Sequence, residues 1–498
     1  MEDKAQYIYA FLGIVTTLYF IYWKADPLYP IPAIGPSAPV LSYLGAYRYY
    51  RDARKVLQEG YAKYKVFRVS MLDRWVVVVS GADMNEELRK VPDTHVSFAQ
   101  AADELIQLKY TIAPDVNEHP IHTPVIRGPL TRNLGALFPD VVDEINVAFP
   151  ELMPPAAKRG DWVAVSVRDT MGRIVSRASN RIFVGLPLCR NPDYLKTVVE
   201  FAFSVAKSRT IINAAPAVFR PIVGHFLPWA KRAVRNAGVH VKPLIRLRVS
   251  KMQDAGDDQT DKSCDYLMWL IEEAQKTKQN LDIVVQGILV SNFAAIHTSS
   301  NSITHSLLNL AAYPQHVQPL REEIEGIIKE YGWTKEAIGK MWKLDSFMRE
   351  SQRLSGISGI SVMRKVLQDI TLSDGTYLPK GTLVVAAAFA THTDERYYEN
   401  PEVFEPFRFY DMRTENDALR KQYVNTSREF ITFGHGKHAC PGRFFAVNEL
   451  KAMMAYIILH YDVKLEEGVS RPENVWIWHN ISPASTKVLF RERQSKVQ

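Results

Sequence analysis

Residues 5–23 run for 19 positions without a charge. At about 1.5 Å per residue a helix of this length spans roughly 28 Å, close to the apolar core of a bilayer. Tyr7, Tyr9, Tyr19, Tyr22 and Trp23 cluster towards its ends, as an aromatic belt does. The start, Met1-Glu2-Asp3-Lys4, and the exit, Trp23-Lys24-Ala25-Asp26-Pro27, lack the positive lead and small-residue cleavage site of a secretory signal. The pattern predicts an uncleaved transmembrane anchor over 1–24, and no other uncharged run is read as reaching that length. Pro27, Pro30, Pro32, Pro36 and Pro39 then predict a stiff extended spacer over 25–40.

Beyond the spacer the pattern predicts one large body, 41–498. A short helical piece comes first, then a two-stranded hairpin over 66–70 and 75–80. From about 140 to 355 the pattern is mainly helical. The longest segment, 282–312, stops before Pro314, and amphipathic helices follow over 320–331 and 342–354. Asp374-Gly375 between short β-branched runs signals a second hairpin. Residues 391–438 are polar and irregular, and a last helix begins just after Cys440 and ends near His460. The fold class is mainly α with a small β region, preceded by one N-terminal transmembrane helix.

Composition narrows the chemistry. The chain has 498 residues, a formal net charge of +7 and 47% hydrophobic residues, an ordinary globular mixture. The basic excess is small and dispersed, so no nucleic-acid partner is expected. Three cysteines, at 189, 264 and 440, exclude a disulfide framework, and without a C-x-x-C pair there is no Cys-rich zinc site. A cysteine that matters here acts alone.

Cys440 sits in Phe433-Gly-His-Gly-Lys-His-Ala-Cys440-Pro-Gly442-Arg443-Phe444. Gly436 permits a tight turn with positive φ. Pro441 suits the first position of a helix, which would set Cys440 against free amides and the positive end of the dipole. Lys437, His438 and Arg443 add positive charge. This setting favours a thiolate over a thiol. Three roles stay open on these grounds: a buried structural cysteine, a nucleophile with a histidine base, or a metal ligand.

Phe-x-x-Gly-x-His-x-Cys-x-Gly resembles the heme-binding loop of the cytochrome P-450 superfamily. The resemblance implies the P-450 fold and heme b, with Cys440 as axial ligand and Phe433, Gly436 and Gly442 shaping its loop. Glu350-Ser-Gln-Arg353 and Phe404-Glu-Pro-Phe-Arg408-Phe409 resemble two further family segments, which implies a buried network of Glu350, Arg353 and Arg408 holding that loop. Glu-x-x-Arg alone says little, since it recurs at Glu86/Arg89 and Glu405/Arg408. Arg364, Arg127 and His438 fall where members bind the heme propionates. The usual tryptophan four residues before such an arginine is Thr123 here, and His122 is a substitute donor. Ala294-Ala295-Ile296-His297-Thr298-Ser299 resembles the oxygen-binding stretch of the long helix. Thr298 matches the proton-relaying threonine, while Ala295 and His297 replace the usual glycine and acid. Ala-Ala-x-His-Thr and Lys109-Tyr-Thr111 are similar to fungal membrane-bound, kaurene-oxidase-like members.

The resemblance implies a monooxygenase that oxidises an apolar small molecule, a terpenoid or related secondary metabolite, with O2 and NADPH-derived electrons. The implied partners are NADPH-cytochrome reductase and cytochrome b5, with Lys437 and Arg443 on the docking face. The implied location is the endoplasmic reticulum membrane, single-pass, with the body in the cytosol. A heme-thiolate isomerase or dehydratase, motivated by His297, and a non-enzymatic heme-binding protein remain as alternatives.

Overall fold

The computed structural model describes residues 2–112, 114–156, 158, 160–255, 265–413 and 418–493. Cys264 lies outside the described residues. The helix Asp282–Ala312, 31 residues long, runs through the interior. Against it pack the helices Val167–Phe183, Pro192–Ala214, Trp229–Ala255, Trp342–Leu354 and Arg443–His460. Asn191 and Asp265 start two of the surrounding helices by accepting amide hydrogen bonds at the first turn, as short polar caps do. The Asp282–Ala312 helix also corrects the reading of the apolar runs. It is itself long and apolar enough to cross a membrane, yet 67% of its most apolar window is buried inside the protein.

The main sheet has five strands in the spatial order Val66–Ser70, Trp75–Val79, Leu383–Ala386, Ser361–Val366 and Val96–Ser97. The first two form the antiparallel hairpin, Val66 opposite Val79. The third pairs with the second in parallel, Val77 beside Val384. Every residue of Val66–Ser70 is buried, which explains its unbroken apolar run apart from Arg68. Arg68 is tolerated there because Asp26 pairs with it at 2.8 Å and Trp75 covers it at 4.4 Å. A second sheet sets Lys487–Glu492 between Val163–Ser166 and Tyr461–Lys464, and Val163–Ser166 is the one described strand within the mainly helical stretch 140–355. The small hairpin Ile370–Thr371 with Tyr377–Leu378 turns at Gly375, φ +88°.

The helix Glu2–Lys24 lies ahead of this body. Tyr7, Phe11, Leu18 and Tyr22 on it are exposed, Tyr7 by 76%. The 25–40 segment is docked rather than free. Arg68 N–H donates to the Pro32 carbonyl at 2.7 Å, Ile34 N–H donates to the Arg68 carbonyl at 3.0 Å, and Ile31 and Ile34 are buried. The helical piece that follows is two helices, Ser42–Arg51 and Ala53–Lys63, divided at Asp52, whose carboxylate caps the second.

Candidate active site

The cysteine loop is wound by two left-handed glycines, Gly434 at φ +74° and Gly436 at φ +71°. At Gly436 a Cβ would lie 2.5 Å from Arg89 Cγ, so both the backbone and its surroundings require glycine. Cys440 N–H closes the loop on the Phe433 carbonyl at 2.7 Å. The following helix starts at Arg443 with Gly442 as its cap, so Pro441 lies ahead of the helix and not at its first position. The Cys440 sulfur still receives the backbone N–H groups of Gly442 and Arg443, and the Arg443 cation is close. Burial nevertheless outweighs these donors and pushes the thiol pKa up. A coordinated metal deprotonates a thiol outright. Phe433 packs on Tyr423 at 5.6 Å, and Arg443 folds over Phe444 at 4.4 Å.

Cations gather around this loop. Arg127 donates to the Lys437 carbonyl at 3.1 Å. Asp93 holds both Lys437 Nζ and His438 Nε2 at 2.8 Å, and these two groups keep its carboxyl below the usual range. His438 also stacks on Phe98 at 6.0 Å. Arg364 is 2% exposed, and burial pulls its pKa down to about 10. Its guanidinium donates to the Met363 carbonyl at 2.7 Å and, among the described residues, makes no ion pair. His122 lies on the short helix that leads to Arg127, its Nδ1 buried without a partner. Burial pulls the His122 pKa to about 4, so the ring is neutral and one nitrogen carries a donor proton.

Glu350 and Arg353 form a two-bond pair at 2.7 and 2.8 Å, both fully buried. Arg408 joins Glu350 Oε1 at 3.1 Å. Their remaining donors reach backbone carbonyls, Arg353 to His392 and Pro401, and Arg408 to Glu399. His392 then accepts the Ile431 N–H on its Nε2 at 3.0 Å, at the foot of the cysteine loop. No sequence motif marks His392, nor the other clip on this loop. There Glu86 holds Arg89 at 2.5 Å and His435 at 3.2 Å, so a pair set aside as one of three Glu-x-x-Arg repeats packs directly on Gly436.

On the long helix, Ala294 and His297 are exposed and Thr298 is half-buried, flanked by buried Ile296 and Ser299. Thr298 Oγ1 donates to the Ala294 carbonyl at 2.7 Å. Desolvation, with the Arg168 and Arg209 cations, lowers the His297 pKa, so the ring is neutral near pH 7. This helix packs on the Arg443–His460 helix behind the cysteine.

These features fit a heme. A half-buried cysteine faces two amide donors, and among the described residues the buried guanidinium of Arg364 makes no ion pair and the Nδ1 of His122 has no hydrogen-bond partner. Among the described residues no group of three or more His, Cys, Asp or Glu side chains could hold a metal, so the cysteine stands alone here too.

A mainly helical body with small sheets carries Cys440 on a glycine-wound loop, the architecture expected of a heme-binding oxidoreductase. The cytochrome P450 family model matches residues 32–486, and the chain belongs to that family. It is similar to cytochrome P450 monooxygenase 110 of Postia placenta, 95% identical over the whole of both chains. Cytochrome P450 monooxygenase 71 of the same organism is 94% identical over the same extent. Cytochrome P450 monooxygenase CYP512U6 of Ganoderma lucidum is 36% identical, covering 99% of this chain and 97% of its own. The enzyme class is that of a P450 monooxygenase, and the non-enzymatic alternative is set aside.

Proposed function

We infer that this protein is a membrane-anchored monooxygenase that inserts oxygen into an apolar small molecule, with Cys440 as the ligand of a heme b iron. The observation that carries the reading is the Cys440 sulfur, which receives the Gly442 and Arg443 amides on a loop wound by two left-handed glycines. When bound, the heme supplies the activation of O2 with electrons from NADPH. The chain's own residues do the rest. Arg127, Arg364, His438 and His122 hold the propionates. Phe433, Gly436 and Gly442 shape the floor and exclude water from the sulfur. Glu350, Arg353 and Arg408 fix the loop, and Thr298 would hold a proton near the group once it is bound.

Stretches 99–117, 201–211, 293–298, 357–363 and 481–483 border this space by family analogy and are mostly apolar, which supports a terpenoid or related metabolite as substrate. The exposed apolar Glu2–Lys24 helix supports an anchor in the endoplasmic reticulum membrane. Val218, Phe219, Ile222 and Phe226 form a second exposed apolar group ahead of Lys231, Arg232 and Arg235, and support a body lying against the lipid surface. Electrons come from NADPH-cytochrome reductase, with cytochrome b5 as a second donor. Arg443 fits the docking face better than Lys437, whose charge Asp93 already neutralises.

The carbon monoxide difference spectrum of the reduced protein tests the ligand: the thiolate-type band is expected and disappears in Cys440→Ala. Turnover with reductase, NADPH and labelled O2 tests the reaction. Label in the product supports oxygen insertion, and unlabelled product without NADPH consumption supports the isomerase alternative. Loss of vesicle flotation on removing 1–24 tests the anchor.

A further inference from the structure

A helix in the centre of a protein is ordinarily apolar, but Asp282–Ala312 is not so beyond Thr298. Ser302, His305 and Asn309 follow Thr298 at i+4, i+7 and i+11, so the four share one face. All three are buried. Ser302 Oγ donates to the Thr298 carbonyl at 3.0 Å, and the Tyr423 hydroxyl donates to Gln352 Oε1 at 3.1 Å. Asn309 Nδ2 donates to Ser351 Oγ at 2.9 Å, and its carbonyl accepts from Arg471 Nε. Arg471 is only half-buried and also bonds Ser355 and Asn474, so the polar face ends near the surface.

Between these bonded groups stands His305. It is 0% exposed, and among the described residues neither of its ring nitrogens has a hydrogen-bond partner. Burial and the Arg471 and Arg168 cations hold its pKa at about 3, so the ring is neutral, with one donor and one acceptor. Leaving both unmade costs about 1–3 kcal/mol each. Buried polar groups in this situation are normally satisfied by internal water.

We propose that this face is a water-filled seam that carries protons from the Arg471 edge to Thr298, with His305 positioning the waters. The proposal rests on the monooxygenase reading, and it supplies what position 297 lacks, since a neutral histidine stands where the family places an acid. Water is needed because Thr298 and Ser302 both donate their hydroxyl protons to backbone carbonyls of their own helix. Each transfer passes one proton from a water to the next, and the last donor is refilled from bulk solvent. No side chain is oxidised or left with altered charge, and the protons are consumed by O2 reduction with NADPH-derived electrons.

The test compares the full-length enzyme with His305→Leu and His305→Gln, reconstituted with reductase. In His305→Leu, product formed per NADPH is expected to fall on the order of tenfold, with the missing equivalents recovered as hydrogen peroxide and a changed solvent deuterium isotope effect. His305→Gln, which keeps a donor and an acceptor, restores coupling. Wild-type coupling and isotope effect in His305→Leu overturn the proposal, and so does a His305→Gln that behaves like His305→Leu. A crystal structure of the loaded wild type gives a readout that needs neither variant nor turnover: ordered water on both ring nitrogens supports the seam, and a dry site overturns it. Absence of oxygen label in the product would instead count against the monooxygenase reading.

Discussion

Arg353 donates to the His392 carbonyl at 2.5 Å, and the ring of the same histidine accepts the Ile431 amide at 3.0 Å. One residue thus joins the buried Glu350–Arg353 pair to the chain that enters the cysteine loop. Burial beside Arg353 and Arg349 holds the His392 pKa at about 3, which keeps Nε2 free to accept. His392→Leu removes that acceptor and leaves a buried N–H unpaired, at about 1–3 kcal/mol. The expected outcome is a lower melting temperature and weaker heme retention, measured by calorimetry and by the thiolate-type carbon monoxide band. His392→Gln, which restores an acceptor, recovers part of both.

Glu350 compensates two buried arginines, so Glu350→Gln leaves both with less than their charge. Breaking such a buried pair costs about 3–5 kcal/mol, and little soluble heme-loaded protein is expected. Glu405 touches Arg408 at 3.2 Å but is 42% exposed, and Glu405→Gln should cost less than about 1 kcal/mol. Denaturant midpoints of the two variants separate the cases, and equal losses would count against a special role for Glu350.

How much of this was legible beforehand follows from how far apart the cooperating residues lie. The long helix could be read to its last residue because apolar spacing and Pro314 are local signals. The loop could be read because its glycines and cysteine sit within ten residues. His392, Asp93 and Glu86 could not, since each reaches the loop from about 40 to 350 residues away and no local pattern encodes the meeting. The balance at Cys440 is legible only in part, since neighbouring cations are visible in the sequence whereas burial, which pushes the thiol up, is a tertiary property.

Gly436 is constrained twice, by its φ of +71° and by the Arg89 side chain. Gly436→Ala should therefore cost about 1–2 kcal/mol from the backbone alone, and more from the clash. Adding Arg89→Ala removes the clash but not the backbone cost. The double variant is expected to recover only part of the stability lost in the single one. Full recovery in thermal melts would show that the backbone conformation is not strained.

Four buried histidines set the acid limit. Burial pulls His122 to about 4 and His305, His392 and His479 to about 3. In the unfolded chain each titrates near 6.5, so below that pH the unfolded state binds protons that the folded state does not. Stability is therefore full above about pH 6.5 and falls as pH drops from there towards about 4. Melting temperatures from about pH 8 to about pH 5 should decline on the acid side, and His392→Gln should flatten the decline by one proton's share.

Arg364 gives a prediction of opposite signs. Its guanidinium is buried with no ion pair among the described residues, and burial drives its pKa down against only a partial offset from Asp93. An unpaired buried cation opposes folding, and an apolar residue of similar volume is often the more stable choice. Arg364→Met should therefore raise the melting temperature of the heme-free chain. If the arginine is kept to hold a propionate, the same substitution should weaken heme retention, read as faster transfer of heme to an acceptor protein. A gain in the heme-free chain together with a loss in the loaded one is the expected pair. A loss in both would mean that Arg364 contributes through its packing on the sheet, and unchanged heme transfer would remove it from the propionate site.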